Sequence, residues 1–306
     1  MLHGDLSLFE HRPFFSIIIP TYNRAEKLRR ALKSLETQSF RDFEVLVCDD
    51  GSTDDTGLVV ESFADKLPLR YLHEENWGGP ARPRNNGLKA ADGEWICFLD
   101  ADDWWYQGKL AEVASRIEDA DVICHDCDVY SEAGKRPVKK RGRHFDSPAF
   151  AELMTNGNAI ITSSVCVRKN VLEKTDRFLE DKSLIAIEDY ELWLRLSRLT
   201  DRFLYIPQSL GAYWVDGENI SEYTEKYVAR EIAVNRKYID YLCPADRLES
   251  ELLLSYKIGI AKKCLGLFDE SKGYFLKAMR SRRLKIKTYA LIYYILACCH
   301  SRCTIP

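Results

Sequence analysis

A chain of 306 residues is longer than one hydrophobic core usually grows, so one large domain with an appendage is expected. Its 46% apolar and 30% charged residues exclude a disordered or fibrous chain. The formal charge of −3 hides an asymmetry: residues 1–220 carry 28 basic against 38 acidic side chains, net −10, and residues 221–306 carry 16 against 9, net +7. The larger part would repel phosphate, so no nucleic-acid partner is expected.

Residues 14–20 (FFSIIIP) are a continuous β-branched run, as in a strand buried on both faces. Leu28, Ala31, Leu32 and Leu35 then mark one stripe of a helix packed on a sheet. Residues 43–48 (FEVLVC) predict a second strand. A short helix is predicted over 54–65, with Ser52 or Asp54 as its N-cap. Strands at 69–72, 95–99 and 121–124 alternate with helices at 81–91 and 109–118. This β-α-β-α order predicts a mostly parallel α/β sheet.

Residues 134–148 crowd Lys135, Arg136, Lys139, Lys140, Arg141 and Arg143 among Gly134, Pro137 and Gly142. A solvated mobile loop is expected there, ahead of a binding loop. The β pattern resumes at 159–167. A helix is predicted near 190–199, then short strands at 202–206 and 210–215. From residue 222 the pattern is helical. One helix runs through Leu252, Ile258, Ile260, Leu265 and Phe268, another covers 274–279, and the hairpin falls near Asp269 and Glu270.

Of ten cysteines, Cys48, Cys97 and Cys166 sit in apolar runs and are expected as buried free thiols. Cys124 and Cys127 have the spacing of half a zinc site, but no second pair follows, so zinc is not expected. The first residues lack a signal-peptide layout, and no uncharged apolar run approaches the ~18–20 residues that span a bilayer. A cytoplasmic location is expected, with the inner face of the membrane as its alternative setting.

Ligands of such sheets bind at the carboxyl ends of the strands. After the first strand comes Pro20-Thr-Tyr22-Asn-Arg24, with no glycine-rich turn, and no P-loop occurs anywhere. The second strand ends in Asp49-Asp50-Gly51. The strand at 95–99 ends in Asp100-Ala-Asp102-Asp103. Five carboxylates on one edge are costly without a cation. Hard divalent cations favour such oxygen ligands combined with substrate phosphates, so a metal–phosphate site is expected.

The ordered runs SIIIPTYNR (16–24), CDDGSTDDT (48–56), GGPARPRNNGL (78–88), GEWICFLDADD (93–103) and IEDYELWLRL (187–196) resemble the inverting, GT-A-type family 2 glycosyltransferases. The resemblance covers roughly 14–221. It implies a GT-A-type nucleotide-diphospho-sugar transferase fold, Rossmann-like, with a C-terminal helical extension. The division implied is a catalytic domain at 1–221 and a helical region at 222–306.

By the same resemblance, Pro20, Tyr22 and Asp50 line the base pocket, with Asp50 accepting from a uracil-type N3–H. Arg84 faces the nucleotide diphosphate, and Arg82 is its near-equal alternative. Asp100 binds ribose. Asp102 holds Mn²⁺ or Mg²⁺ against the diphosphate. Asp189 is the catalytic base, preferred over Glu188 on the resemblance alone. The donor implied is a nucleotide-sugar, with a UDP-sugar expected ahead of dTDP and GDP donors. The acceptor implied is a hydroxyl of a glycan or a lipid-linked saccharide in surface polysaccharide synthesis.

The chemistry needs these residue types independently. The acceptor hydroxyl loses its proton as it attacks the anomeric carbon, so a carboxylate must be in reach. The departing diphosphate gathers negative charge that a cation can stabilise. The Glu188-Asp189 pair also suits the first turn of a helix. One stretch departs from the family's Tyr-Arg-x-His-like segment: Trp214 replaces the Arg and Asp216 the His, so Asp216 is either an extra metal ligand or part of a plain loop. Asn219 and Ser221 keep the polar spacing without an assigned role. Trp77, Trp104, Trp105, Trp193 and Trp214 are expected to flank the cleft, Trp104 and Trp105 foremost as sugar platforms.

Arg280, Arg282, Arg283, Lys285 and Lys287 precede the uncharged run YALIYYILACC (289–299). Two readings stay open for 280–299: peripheral docking on an anionic membrane, or packing on its own domain or on another copy in a homo-oligomer. A catalytically silent binding module on the same scaffold is the alternative to an enzyme; the retained Asp50, Asp102 and Asp189 speak against it.

Overall fold

The computed structural model describes residues 12–216 and 224–302. Asn219, Ser221 and the start of the helical region at 222 lie outside the described residues.

The first half is a run of βα units. Strands β1 (Phe15–Thr21), β2 (Phe43–Asp49), β3 (Leu69–His73) and β4 (Trp95–Phe98) are joined by helices α1 (Ala25–Glu36), α2 (Thr56–Glu61) and α3 (Ala81–Ala90). All three pairings among these strands are parallel. β2 and β3 lie on one side of β1 and β4 on the other. The chain order therefore reverses between β1 and β4, which opens a crevice at their carboxyl ends.

The second half makes the sheet mixed rather than mostly parallel. After the two-residue β5 (Trp104–Trp105) and helix α4 (Lys109–Ala114) come β6 (Val122–Ser131) and β7 (Gly134–Lys140). Helix α5 (Ala149–Asn156), strand β8 (Cys166–Arg168), helices α6 (Lys169–Leu172) and α7 (Glu188–Leu196), and strand β9 (Phe203–Trp214) follow. The strand order is β3-β2-β1-β4-β8-β6-β9-β5, with β7 paired to β6. β8 runs antiparallel to both β4 and β6, and β7 antiparallel to β6.

Two expectations are corrected here. The cationic segment is a loop only in part: residues 134–140 are the exposed strand β7, where Lys135 and Lys139 pair with Asp128, and residues 141–148 form neither helix nor strand. The two strands expected at 202–206 and 210–215 are one strand, β9. Pro207 lacks a donor, and the ladder to β6 shifts register opposite it, so the strand continues through an irregularity that reads as a break.

The pleat divides the core. Ile17 and Ile19 of β1 pack with Leu28, Leu32 and Leu35 of α1 on one face. Ile18 packs with Phe98, Trp193 and Val234 on the other. Cys124 and Cys127 are both buried on β6, and their odd spacing sends them to opposite faces. They are core thiols and not a ligand pair.

Gly87 lets α3 lie against β1, because a Cβ there would come within 2.7 Å of Ile18 Cγ2. The variant Gly87→Ala is expected to lose about 1–3 kcal/mol in urea unfolding through this overlap. An unchanged midpoint would show that the sheet yields instead.

The C-terminal helices are α8 (Glu225–Tyr238), α9 (Pro244–Cys264), α10 (Phe268–Ala278) and α11 (Leu284–Arg302). Helix α8 sends Val234 and Tyr238 into the core of the α/β unit. Ser250 of α9 donates to the Met154 carbonyl at 2.9 Å. The hairpin turn falls at 265–267, so Leu265 leaves the first helix and Phe268 starts the next, earlier than the sequence suggested.

Candidate active site

The crevice at the switch point is a cleft of about 540 Å³. Pro20, Tyr22, Asp50, Arg84, Asp100 and Asp102 line it from the strand ends and α3. Glu188 and Asp189 reach it from the start of α7. Two of the proposed site residues, Arg82 and Asp216, are not among its lining residues.

Each wall is held by local hydrogen bonds. Gly51, at φ +82°, turns the chain after β2, and a Cβ there would strike the Asn76 nitrogen at 2.7 Å. The Asp50 carboxylate accepts from the backbone N–H groups of Trp77 at 2.8 Å and Gly78 at 2.9 Å. Asp50 thus also fixes the 76–79 loop beside the cleft. Ser163 Oγ accepts from the Asp100 N–H at 3.1 Å and donates to Asp103, locking the acidic turn.

The electrostatics centre on Arg84. It is buried, and its guanidinium bonds to Glu188 at 2.7 Å and to Asp100 at 2.8 Å. Burial alone would lower its affinity for a proton. The carboxylates of Asp100 and Glu188 outweigh that and hold the guanidinium charged, above its ordinary value. Arg84 therefore joins the acidic turn after β4 to the acidic start of α7. Arg82 instead pairs with Glu180 at 2.9 Å, beside the Trp77 ring.

Asp189 accepts from Thr162 Oγ1 at 2.7 Å and from the Tyr190 N–H at 2.6 Å. It keeps part of its surface open to the cleft. Enclosure by protein, with Glu188 alongside, lifts its carboxyl to about 6. If Asp189 is the base, kcat should rise about tenfold per pH unit up to about pH 6 and then level off. A flat pH–rate profile between 4.5 and 7 would remove it from that role. Glu188 differs, since one oxygen holds Arg84 and Oε2 is buried without a hydrogen-bond partner.

Arginines neutralise the acidic turn in part: Arg24 pairs with Asp102, and Arg84 with Asp100. Burial raises Asp102 above the usual carboxylate range; Arg24 opposes that and Asp100 adds to it. Burial and the carboxylates of Asp102 and Asp100 raise Asp103 further. Asp103 is committed to Ser163 and to the Trp214 N–H, so Asp100 and Asp102 are the carboxylates of this turn that line the cleft. Among the described residues no three His, Cys, Asp or Glu side chains form a self-sufficient metal cage. This donor set fits a hard divalent cation that brings phosphate oxygens as its other ligands. Asp216 pairs with Lys27 and accepts from Trp214 Nε1 at 3.1 Å.

The tryptophan expectation is corrected. The Arg30 guanidinium lies between Trp104 and Trp214, 4.1 and 4.2 Å from the ring centres. Trp105 is buried under the Lys109 ammonium, 3.5 Å from its ring centre, and Trp193 is wholly in the core. Trp77 stands against Arg82. None of the five lines the cleft, so none offers a platform there. The sequence also passed over Lys140, Arg24 and Thr162, which do line it. Lys140 comes from the end of β7; burial lowers its ammonium against the pull of Asp103.

The chain has known counterparts in sequence and in fold. The sequence pattern of glycosyl transferase family 2 matches residues 16–176. The chain belongs to glycosyl transferase family 2. It is 29% identical over 304 residues to the GalNAc(5)-diNAcBac-PP-undecaprenol β-1,3-glucosyltransferase of Campylobacter jejuni, covering 93% of each chain. The structure of Staphylococcus aureus TarS 1–349 with UDP-GlcNAc superposes with TM-score 0.64 at 21% identity, over 92% of this chain and 88% of that one. The Pyrobaculum calidifontis mannosyltransferase with GDP-Man and Mn²⁺ gives 0.63 at 19% identity, over 94% and 81%. The fold is therefore GT-A type, and the family 2 glycosyltransferase is an enzyme and not a silent module.

Proposed function

We propose that the enzyme transfers a sugar, with inversion, from a UDP-sugar to a hydroxyl of a lipid-linked saccharide in surface polysaccharide synthesis, using a divalent metal. One observation carries this reading: Asp189 and Asp102 face one cleft whose charges are joined through Arg84. Asp189 takes the proton of the attacking hydroxyl, held in aim by Thr162. Asp102 would hold Mn²⁺ or Mg²⁺, which would supply positive charge against the departing diphosphate. Lys140 and Arg24 add positive charge at the same wall. Pro20, Tyr22 and Asp50 bound the pocket for the base. One displacement inverts the anomeric centre without a covalent intermediate.

The UDP and lipid-linked choices are supported by what the relatives bind. The C. jejuni relative is named for an undecaprenol-linked acceptor, and TarS was solved with UDP-GlcNAc. GDP-Man in the mannosyltransferase keeps a GDP-sugar as the competing donor. Thermal shift with UDP, GDP and dTDP, each with and without Mn²⁺, tests the donor. UDP with Mn²⁺ should raise Tm most, and removing Mn²⁺ with EDTA should abolish most of the rise. Equal shifts with and without metal would contradict the metal's role.

A further inference from the structure

We infer that the outward face of α11 is a docking surface for an anionic membrane. The helix has two apolar faces. Ile286, Ala290 and Ala297 are buried, the first two in a cluster with Leu253, Phe275 and Ala278 of α9 and α10. Those contacts account for one side only. On the opposite side Leu284, Leu291, Ile292 and Ile295 fall at helical spacing and are exposed, Leu284 by 77% and Ile295 by 52%. Tyr289 and Leu296 widen the stripe. So many large apolar side chains on one exposed face mark an interaction site.

Charge selects the occupant. From Ser271 to Pro306 the sequence holds eight Lys or Arg and no Asp or Glu. Arg282 and Arg283 are engaged with acidic groups of α9 and α5. Lys277, Arg280, Lys285 and Lys287 are exposed and join no ion pair among the described residues. Lys285 and Lys287 stand on the face that carries the apolar stripe. A second copy docking there by two-fold symmetry would present the same segment, which has no Asp or Glu to pair with these lysines. An anionic lipid surface complements the cations and receives the apolar side chains between its headgroups. No described helix is long and apolar enough to cross a membrane, so α11 lies on the surface. This inference rests on the lipid-linked acceptor reading, which it deepens: docking would bring the cleft to an acceptor confined to the membrane.

Flotation of the full chain with vesicles tests it, using phosphatidylcholine alone or with phosphatidylglycerol. The wild type should float about tenfold more with the anionic vesicles, and Ile292→Glu with Ile295→Glu should abolish flotation. Both substitutions are at exposed positions, and an unchanged UDP–Mn²⁺ thermal shift would show the variant folded. Equal flotation of wild type and variant would overturn the inference. So would a concentration-dependent dimer that the variant abolishes while neither protein floats. Flotation that depends on Ile292 and Ile295, without any nucleotide shift, would uphold the docking surface and count against the proposed donor reading instead.

Discussion

Replacing Asp189 with Asn is expected to lower kcat by about 10²–10⁴-fold while UDP–Mn²⁺ affinity stays within a factor of about two. The amide preserves volume and can still bond to Thr162, which contacts Asp189 at 2.7 Å. What it loses is the ability to take a proton. Glu188 cannot substitute easily, because its Oε1 is committed to Arg84 at 2.7 Å. Glu188→Gln should therefore act differently, through the Arg84 bridge. A variant Asp189→Asn with wild-type turnover would remove the base from this account.

Replacing Arg84 with Met is expected to cost both stability and activity. The guanidinium is only 4% exposed and faces Glu188, itself 5% exposed. Removing one partner of such a pair leaves a buried charge, which typically costs about 3–5 kcal/mol. The same substitution frees Asp100 and adds negative charge where a diphosphate is proposed to sit. Urea unfolding should show a large loss for Arg84→Met and a partial recovery in the double variant Arg84→Met with Glu188→Gln. The double variant should stay inactive. Strictly additive stability losses would mean that the two side chains do not act as a pair.

The sequence was most legible where local pattern and global fold agree. Residues 14–20 read as a strand because both faces of β1 are buried, and its end carries the cleft. The Asp-rich turns were legible because each follows an apolar strand directly. Legibility failed where distant segments decide the outcome. The ring faces of Trp104 and Trp214 are taken by Arg30, a residue some seventy positions or more away from either along the chain. Lys140 looked like one cation in a solvated run, and only pairing of β7 with β6 brings it to the cleft. Arg82 and Arg84 have equal local claims, and the way α3 packs separates them: Arg84 turns inward to two carboxylates, Arg82 outward to Glu180. The chain's near-neutral total likewise resolves into a net −10 over residues 1–220 and a net +7 over residues 221–306.

The central claim is a single in-line displacement at this cleft, with Asp189 as base. It is tested most directly by following hydrolysis of a UDP-α-sugar by the enzyme with Mn²⁺, using ¹H NMR to identify the first sugar anomer released. Inversion predicts that the β-anomer appears first and then equilibrates with the α form. Release of the α-anomer first would contradict the account.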